Sequence, residues 1–363
     1  FTINAMAYHP VRGVVDAFSG MQDIEGHIIR CVGDAGARFD EDALRMLRAV
    51  RFSGQLGFAI EDKTLLAMKE RAKDLQQISA ERIRTELVKL LVSKDARQIR
   101  VAYQTGMTEV FFPEFDKMMG LEQKNPHHIY TVGEHTIHSI EAMNYFFGEY
   151  SNHFDFKLVS VEAKTLAEKL VERLTAKQHS ILCAAMLFHD IGKPDAMTID
   201  EVGIGHFHGH QKISEQIADR VLKRLAFDNE TISLVKRLVF WHDYRFSESP
   251  GEMRRAVSKI GKDLMPLLFL VQMSDALAQN PMTIEEKLQR ICSAAGLWQD
   301  VLLSKAALEL KDLQISGKDL LDIGIPQGPE LGKLLKMALE YVLEEPERNK
   351  KEFLLEWIGK NFL

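Results

Sequence analysis

Two groups of residues in this chain have the types and spacing to do chemistry. The first is Glu41-Asp42-Ala43-Leu44-Arg45, at the head of EDALRMLRAVRF. Asp42 and Arg45 are three apart, so on a helix they project from one face. A carboxylate acceptor beside a planar fork of donors can hydrogen-bond the Watson–Crick edge of a nucleobase. The same stretch also suits a helical first turn in which Asp40, Glu41 and Asp42 oppose the macrodipole. The second group is His189-Asp190-Ile191-Gly192-Lys193-Pro194, which follows the apolar run ILCAAMLF. Adjacent His and Asp at a helix end can converge on one hard or borderline cation. Further candidate ligands are His135 in VGEHTIHSI, His210 in HFHGHQKIS, His242 in VFWHDY and Asp275 in LVQMSDALAQ. Each lies in a helix-like stretch, so separate helices could aim them into one pocket. A bound ion there would lower the pKa of its water and polarise a phosphoryl oxygen. Lys193 would then hold a phosphate oxygen or simply solvate a helix end. His138, His153 and His179 read as satisfied core histidines. His206 and His208 read as loop histidines or substrate contacts.

These residues need elements to hold them. Residues 1–36 alternate short β-like runs (FTINAMAY, GVVDAF, HIIRCV) with Gly and Asp turns, as in the last strands of a sheet. Gly33 and Gly36 mark a break before Asp40, which reads as an N-cap. From there to about residue 118 the apolar spacing is helical, beginning at Leu44, Leu47 and Val50 and continuing through ERIRTELVKLL. Arg45, Arg48 and Arg51 recur every three residues as a basic ridge, either a solvated face or a phosphate-contacting one. Pro113 and GLEQKNPHHIYTVGEH form a second junction, followed by the helical histidine block. A charged helical tail begins near Gly296.

The series FTINAMA, VVDAFSGMQDIEGHIIRCVGD, ARFDEDALRMLRAVRFSGQLGFAIEDKT and ISAERIRTELVKLL resembles the class II CCA-adding tRNA nucleotidyltransferases and bacterial poly(A) polymerases. The resemblance implies a mainly α fold: residues 1–36 as the C-terminal remnant of a nucleotidyltransferase palm, and 37–118 as a nucleotide-selecting, RNA-binding neck and body. Residues 119–295 would be an HD-type helical domain and 296–363 a helical tail. It further implies that Glu41, Asp42 and Arg45 form the template selecting CTP or ATP, braced by Arg82, Arg84 and Glu86. Asn4 and Arg48 would join the nucleotide site, and Arg48 and Arg51 would contact tRNA. Mg²⁺ would serve nucleotidyl transfer, but the paired carboxylates that hold it, with an Arg-Arg-Asp motif, are expected before Phe1. Transfer is therefore not expected from these residues alone.

The histidine block resembles the HD superfamily of metal-dependent phosphohydrolases. That likeness makes His135, His189, Asp190 and Asp275 the core ligands, His210 and His242 those of a second metal, and His189, Asp190 and Lys193 the catalytic group. Gln211 stands where many relatives have an acid, which weakens the second site. The metal could be Mg, Mn, Ni, Co or Zn. The implied reaction is hydrolysis of a phosphomonoester or a 2′,3′-cyclic phosphodiester.

The bulk numbers fit this picture. The chain has 363 residues, 46% hydrophobic and 27% charged, enough for two or three domains. A net charge of −6 argues against a nucleic-acid coat, though basic residues can be concentrated locally. Cys31, Cys183 and Cys292 are an odd, scattered set, which suggests a reducing cytoplasm and no disulfide framework. No membrane span, signal peptide or DNA partner is expected. Two other readings compete: an HD phosphohydrolase acting on RNA ends or nucleotides, and a non-catalytic helical RNA-binding module.

Overall fold

The computed structural model describes residues 1–124, 129–149 and 155–362, so His153 lies outside the described residues. The architecture is mainly α, as expected. Among the described residues the strands are two to four residues long and pair two by two: Met6–His9 antiparallel with Gly13–Asp16, Ile28–Ile29 parallel with Ala59–Ile60, and Thr198–Ile199 antiparallel with Gly205–His206. FTINAMAY is a strand only in its second half. Thr2–Asn4 forms a 3-10 turn, because Thr2 is held inward by its hydroxyl donating to Asp23 Oδ2 (2.7 Å) and its amide donating to Arg30 O (3.0 Å).

By compactness the chain divides into two units, residues 1–243 with 270–287, and residues 244–269 with 288–363. The four sequence-based segments are thus grouped differently. The early strands, the neck and most of the histidine block form one body, and a buried clamp shows why. Asn144 Nδ2 donates to Leu91 O (2.8 Å) and Ser93 O (3.0 Å) at the end of helix Ala80–Leu91. Its Oδ1 accepts from His179 Nε2 (2.8 Å) and Cys183 Sγ (3.1 Å) on helix Ala176–Phe188. Losing either partner would strand buried polar atoms, so the neck is fastened to the histidine helices.

In the first unit, helix Leu44–Leu56 buries Leu44, Met46, Leu47 and Val50, whose three- and four-residue spacings make one apolar stripe. It stops at Gly57, whose φ of +72° suits a left-handed C-cap. Gly54 lets it press on the neck: a Cβ there would meet Ser93 Oγ at 2.7 Å and Asp95 O at 2.9 Å. Helix Ala176–Phe188 starts with a Thr175/Gln178 capping box. Ile181 to Phe188 are all buried, which makes it the central helix of the histidine block.

In the second unit, helices Pro250–Ile260 and Pro329–Glu344 pack together through Val257, Ile260, Leu334 and Ala338 among their buried residues. Arg254 adds hydrogen bonds to the carbonyls of Leu343 and Glu344, both 2.6 Å. No described helix in either unit is long and apolar enough to cross a membrane.

Candidate nucleotide-reading turn and metal centre

The expected single helix across Asp42 and Arg45 is broken. Helix Ala35–Glu41 ends and helix Leu44–Leu56 begins around Asp42, whose backbone is extended (φ −160°, ψ 100°). The N-cap of the first helix is Asp34, accepting from Ala37 N at 2.7 Å, and not Asp40. Asp40 lies inside that helix and pairs with Arg71 (2.7 Å). At the start of the second helix Asp42 Oδ1 accepts from Leu44 N (3.2 Å), while Oδ2 accepts from Arg82 Nη2 (2.8 Å). Partial burial opposes ionisation of Asp42, but Arg82 and the Leu44 amide outweigh it and hold its pKa below the usual range. Arg45 donates to Glu41 Oε2 (2.5 Å) and Arg38 O (2.9 Å). Both pairs keep substantial exposure, 25% for Asp42, 50% for Arg82 and 34% for Arg45. Water or a ligand can therefore exchange for either partner.

The other neck residues are dispersed. Arg82 reaches Asp42 as expected. Arg84 instead lies over the Phe227 ring, 5.7 Å from its centroid. Arg51 does not extend the basic ridge: it is only 12% exposed, pairs with Glu86 (2.6 Å) and stacks on Phe52 (3.9 Å). The three-residue spacing drifts around a helix of 3.6 residues per turn, which carries Arg51 toward the neck. Arg48 is half-buried beside the same Phe52 ring, and Asn4 is exposed.

The second group converges as its spacing suggested. His135 comes from helix Val132–Phe146, and His189 and Asp190 directly follow helix Ala176–Phe188. His210 opens helix His210–Arg224, His242 follows helix Asn229–Trp241, and Asp275 lies in helix Met265–Leu277. Gly192 allows this assembly, because a Cβ there would sit 2.6 Å from both His210 O and Ser214 N. A larger residue would force His210 away from Asp190.

All four imidazoles are oriented alike. Each Nδ1 donates to a backbone carbonyl: His135 to Ala278 (3.1 Å), His189 to Met186 (2.7 Å), His210 to Phe207 (2.8 Å) and His242 to Val239 (2.7 Å). Every Nε2 therefore faces inward, the arrangement metal-ligating histidines use once that nitrogen is deprotonated. The Nε2 atoms meet in pairs, His135 with His189 at 3.1 Å and His210 with His242 at 3.2 Å. Two deprotonated Nε2 atoms at that distance repel, so each pair needs a proton or a metal ion between them.

Asp190 joins the two pairs. Its Oδ2 lies 3.3 Å from His189 and 3.4 Å from His135, and its Oδ1 3.3 Å from His210 and 3.7 Å from His242. Asp275 Oδ1 closes the first half, 2.9 Å from His135 Nε2 and 3.6 Å from His189 Nε2. The buried Asp190 Oδ2 is also paired with Lys193 Nζ at 2.7 Å. Burial disfavours a charge on His189, but Asp190 and Asp275 outweigh it and raise its pKa to about 10. His242 is pushed down to about 3 by burial and by His189 and His210. Despite burial, Asp190 is held well below the carboxylate range by His189 and Lys193, and Asp275 by His135 and His189. Two ionised carboxylates and inward nitrogens fit divalent cations in two groups, His135/His189/Asp190 and Asp190/His210/His242.

A cavity of about 290 Å³ opens beside these ligands, walled by Lys193, Phe207, His208, Gln211, Asp243 and Gln279. Sequence reading missed two supporting residues. Gln279, just past the end of helix Met265–Leu277, donates to Asp275 Oδ2 (3.0 Å), four residues away in sequence, and that short separation was the available signal. Gln123 accepts from Lys193 Nζ (2.8 Å) from 70 residues away, for which the sequence carries no local signal. His179 is buried in the Asn144 clamp, as a core histidine.

Comparison with known proteins meets this geometry from outside. Residues 57–119 match the family model "Probable RNA and SrmB- binding site of polymerase A", and residues 200–358 match a model of tRNA nucleotidyltransferase domain 2. The CC-adding tRNA nucleotidyltransferase of Thermus thermophilus is 31% identical over 330 residues, covering 88% of this chain and 67% of that protein. The chain belongs to the tRNA nucleotidyltransferase family. The A-adding tRNA nucleotidyltransferase of Deinococcus radiodurans is 29% identical over 353 residues, 94% of this chain and 73% of that one. In fold, the chain matches the CCA-adding enzyme of Bacillus stearothermophilus solved with CTP, at a TM-score of 0.59 and 23% identity, over 99% of this chain and 73% of the other.

Proposed function

We propose that this family member selects CTP and ATP for addition to the 3′ end of tRNA, with Asp42 and Arg45 reading the base. One observation carries the reading: both side chains sit at an exposed helix break and are held by exchangeable partners, Arg82 and Glu41. A base edge can take over those hydrogen bonds at little net cost, because each bond lost is replaced in kind. The proposed order is displacement of Glu41 from Arg45, engagement of the base by Arg45 and Asp42, and retention of Asp42 by Arg82. Mg²⁺ is the proposed cofactor of nucleotidyl transfer. Of the two named relatives, one is CC-adding and the other A-adding. Titration of the chain with CTP, ATP, UTP and GTP in Mg²⁺ tests the reading. CTP and ATP are expected to bind tightest, and binding of UTP or GTP as tight as CTP would defeat it.

A second activity is supported by the four inward Nε2 atoms around Asp190. We propose hydrolysis of phosphomonoesters or 2′,3′-cyclic phosphodiesters at RNA ends. His135, His189, Asp190 and Asp275 would hold one divalent ion, and Asp190, His210 and His242 a second. Such ions supply hydroxide near neutral pH and polarise a phosphoryl oxygen. The residues' own share is clear: backbone carbonyls fix the imidazole tautomers, Gln279 orients Asp275, and Lys193 places a positive charge at the cavity wall. Metal analysis with phosphatase and cyclic phosphodiesterase assays in Mn²⁺, Co²⁺ or Ni²⁺ tests it; a chain with neither bound metal nor turnover refutes it.

A further inference from the structure

The mouth of the histidine cavity carries a flat aromatic surface that metal ligation does not explain. Strand Gly205–His206 and the turn that follows it set the rings of His206 and His208 parallel, 5.6 Å between centroids and 5° between planes. Phe207, between them, lies instead against Lys193 Nζ (5.3 Å). The stack is anchored at its far end. His206 Nε2 donates to Asp200 Oδ2 (2.8 Å), and Asp200 Oδ1 accepts from Val202 N (3.1 Å) and Ile204 N (2.8 Å). The hairpin thus fixes Asp200, Asp200 fixes His206, and His206 backs His208. His208 itself is exposed in the same cavity wall as Asp190, His210 and Asp275.

Unstacked nucleobases settle on such rings, histidine included. The cavity volume suits one nucleotide residue and excludes a duplex. We infer that His208, backed by His206, is the platform on which the base of an RNA-end nucleotide stacks while its phosphate lies at the metal centre. The inference rests on the phosphohydrolase reading and narrows its substrate class to nucleotides over base-less phosphoesters.

The test uses a pair of non-hydrolysable ligands, adenosine 3′-methylenephosphonate and methylphosphonate, so that binding is read without turnover. The Mn²⁺-loaded chain carries Asp42→Ala and Arg45→Ala to silence the neck, and Mn²⁺ broadening of the ligand phosphorus signal reports occupancy at the centre. The adenosine compound is expected to bind about tenfold tighter. His208→Ala removes that preference and leaves methylphosphonate affinity unchanged; His208→Phe restores it. No preference in the parent chain, loss of both ligands in His208→Ala, or failure of His208→Phe to rescue overturns the inference. Base-dependent binding without hydrolysis of 2′,3′-cyclic AMP sinks the phosphohydrolase reading and leaves the platform standing.

Discussion

The neck turn and the histidine centre hold charged side chains in opposite ways. At the turn, Asp42 and Arg45 are partly exposed, and their partners are other flexible side chains. At the centre, four imidazoles are almost fully buried and pinned by backbone carbonyls. The first arrangement can exchange partners, which reading more than one base requires. The second cannot relax, which suits the proposed cation site and costs stability wherever buried charges are left uncompensated. Adaptable recognition and rigid ligation thus coexist within one compact unit.

Breaking the rigid side should give the largest effect. Asp190→Ala removes the carboxylate both halves share, and the product of the two metal affinities should fall about a thousandfold. Calorimetric titration with Mn²⁺ or Co²⁺ checks this, and two sites of unchanged affinity would contradict the bridging role. CTP binding at the neck should be unaffected.

Next comes the pH dependence of the clamp between the two regions. Burial depresses the pKa of His179 to about 4, below its ordinary 6.5. The unfolded chain therefore takes up the proton first as pH falls. The stability contributed by neutral His179 is full above pH 6.5 and is lost between 6.5 and 4, about 3 kcal/mol in all. In urea melts from pH 7.5 to 4.5, His179→Gln should show a shallower decline than the parent. Equal slopes would remove His179 from the account.

Gly192→Ala is a milder blow at the centre. Its Cβ would crowd His210 O and Ser214 N, a cost of about 2 kcal/mol in stability. The strain falls on His210, so the Asp190/His210/His242 ion should be lost before the His135/His189/Asp190 ion. Retention of both ions would show that the helix start can shift freely. The smallest effect is expected on the adaptable side, where Asp42→Ala should weaken CTP and ATP about tenfold and blunt discrimination against UTP. Metal content should not change. A matched loss of all four nucleotides would assign Asp42 to the structure of the turn and not to base reading.

The two regions were also legible in the sequence to different depths. Glu41 to Arg45 is contiguous, so its residues could be singled out from local spacing. Its conformation could not: at the helix break Asp42 pairs with Arg82, 40 residues away, a contact that local spacing does not show. The same limit misplaced the N-cap at Asp40 and left Arg51 on the surface, when Glu86 draws it inward. At the centre the reverse holds. The candidate residues were visible as scattered His and Asp in or beside helix-like stretches, and the fold brings all six together. Missing from the sequence were the carbonyls that orient them and the close approach at Gly192, since backbone contacts leave no mark on residue type beyond a glycine.

The division of Asp190 between the two halves reaches beyond ligation. A carboxylate has a single negative charge to offer, and each of its oxygens faces a different pair of histidines. On the proposed two-ion reading, the first ion to bind would neutralise that charge and repel the second across the carboxylate they share. The two occupancies would therefore be coupled, and by reciprocity each would weaken the other equally. When metal is scarce the half-loaded chain should dominate over a mixture of empty and full ones. Metal supply would then set how many of these molecules are complete, and the centre would report cation abundance as a graded response.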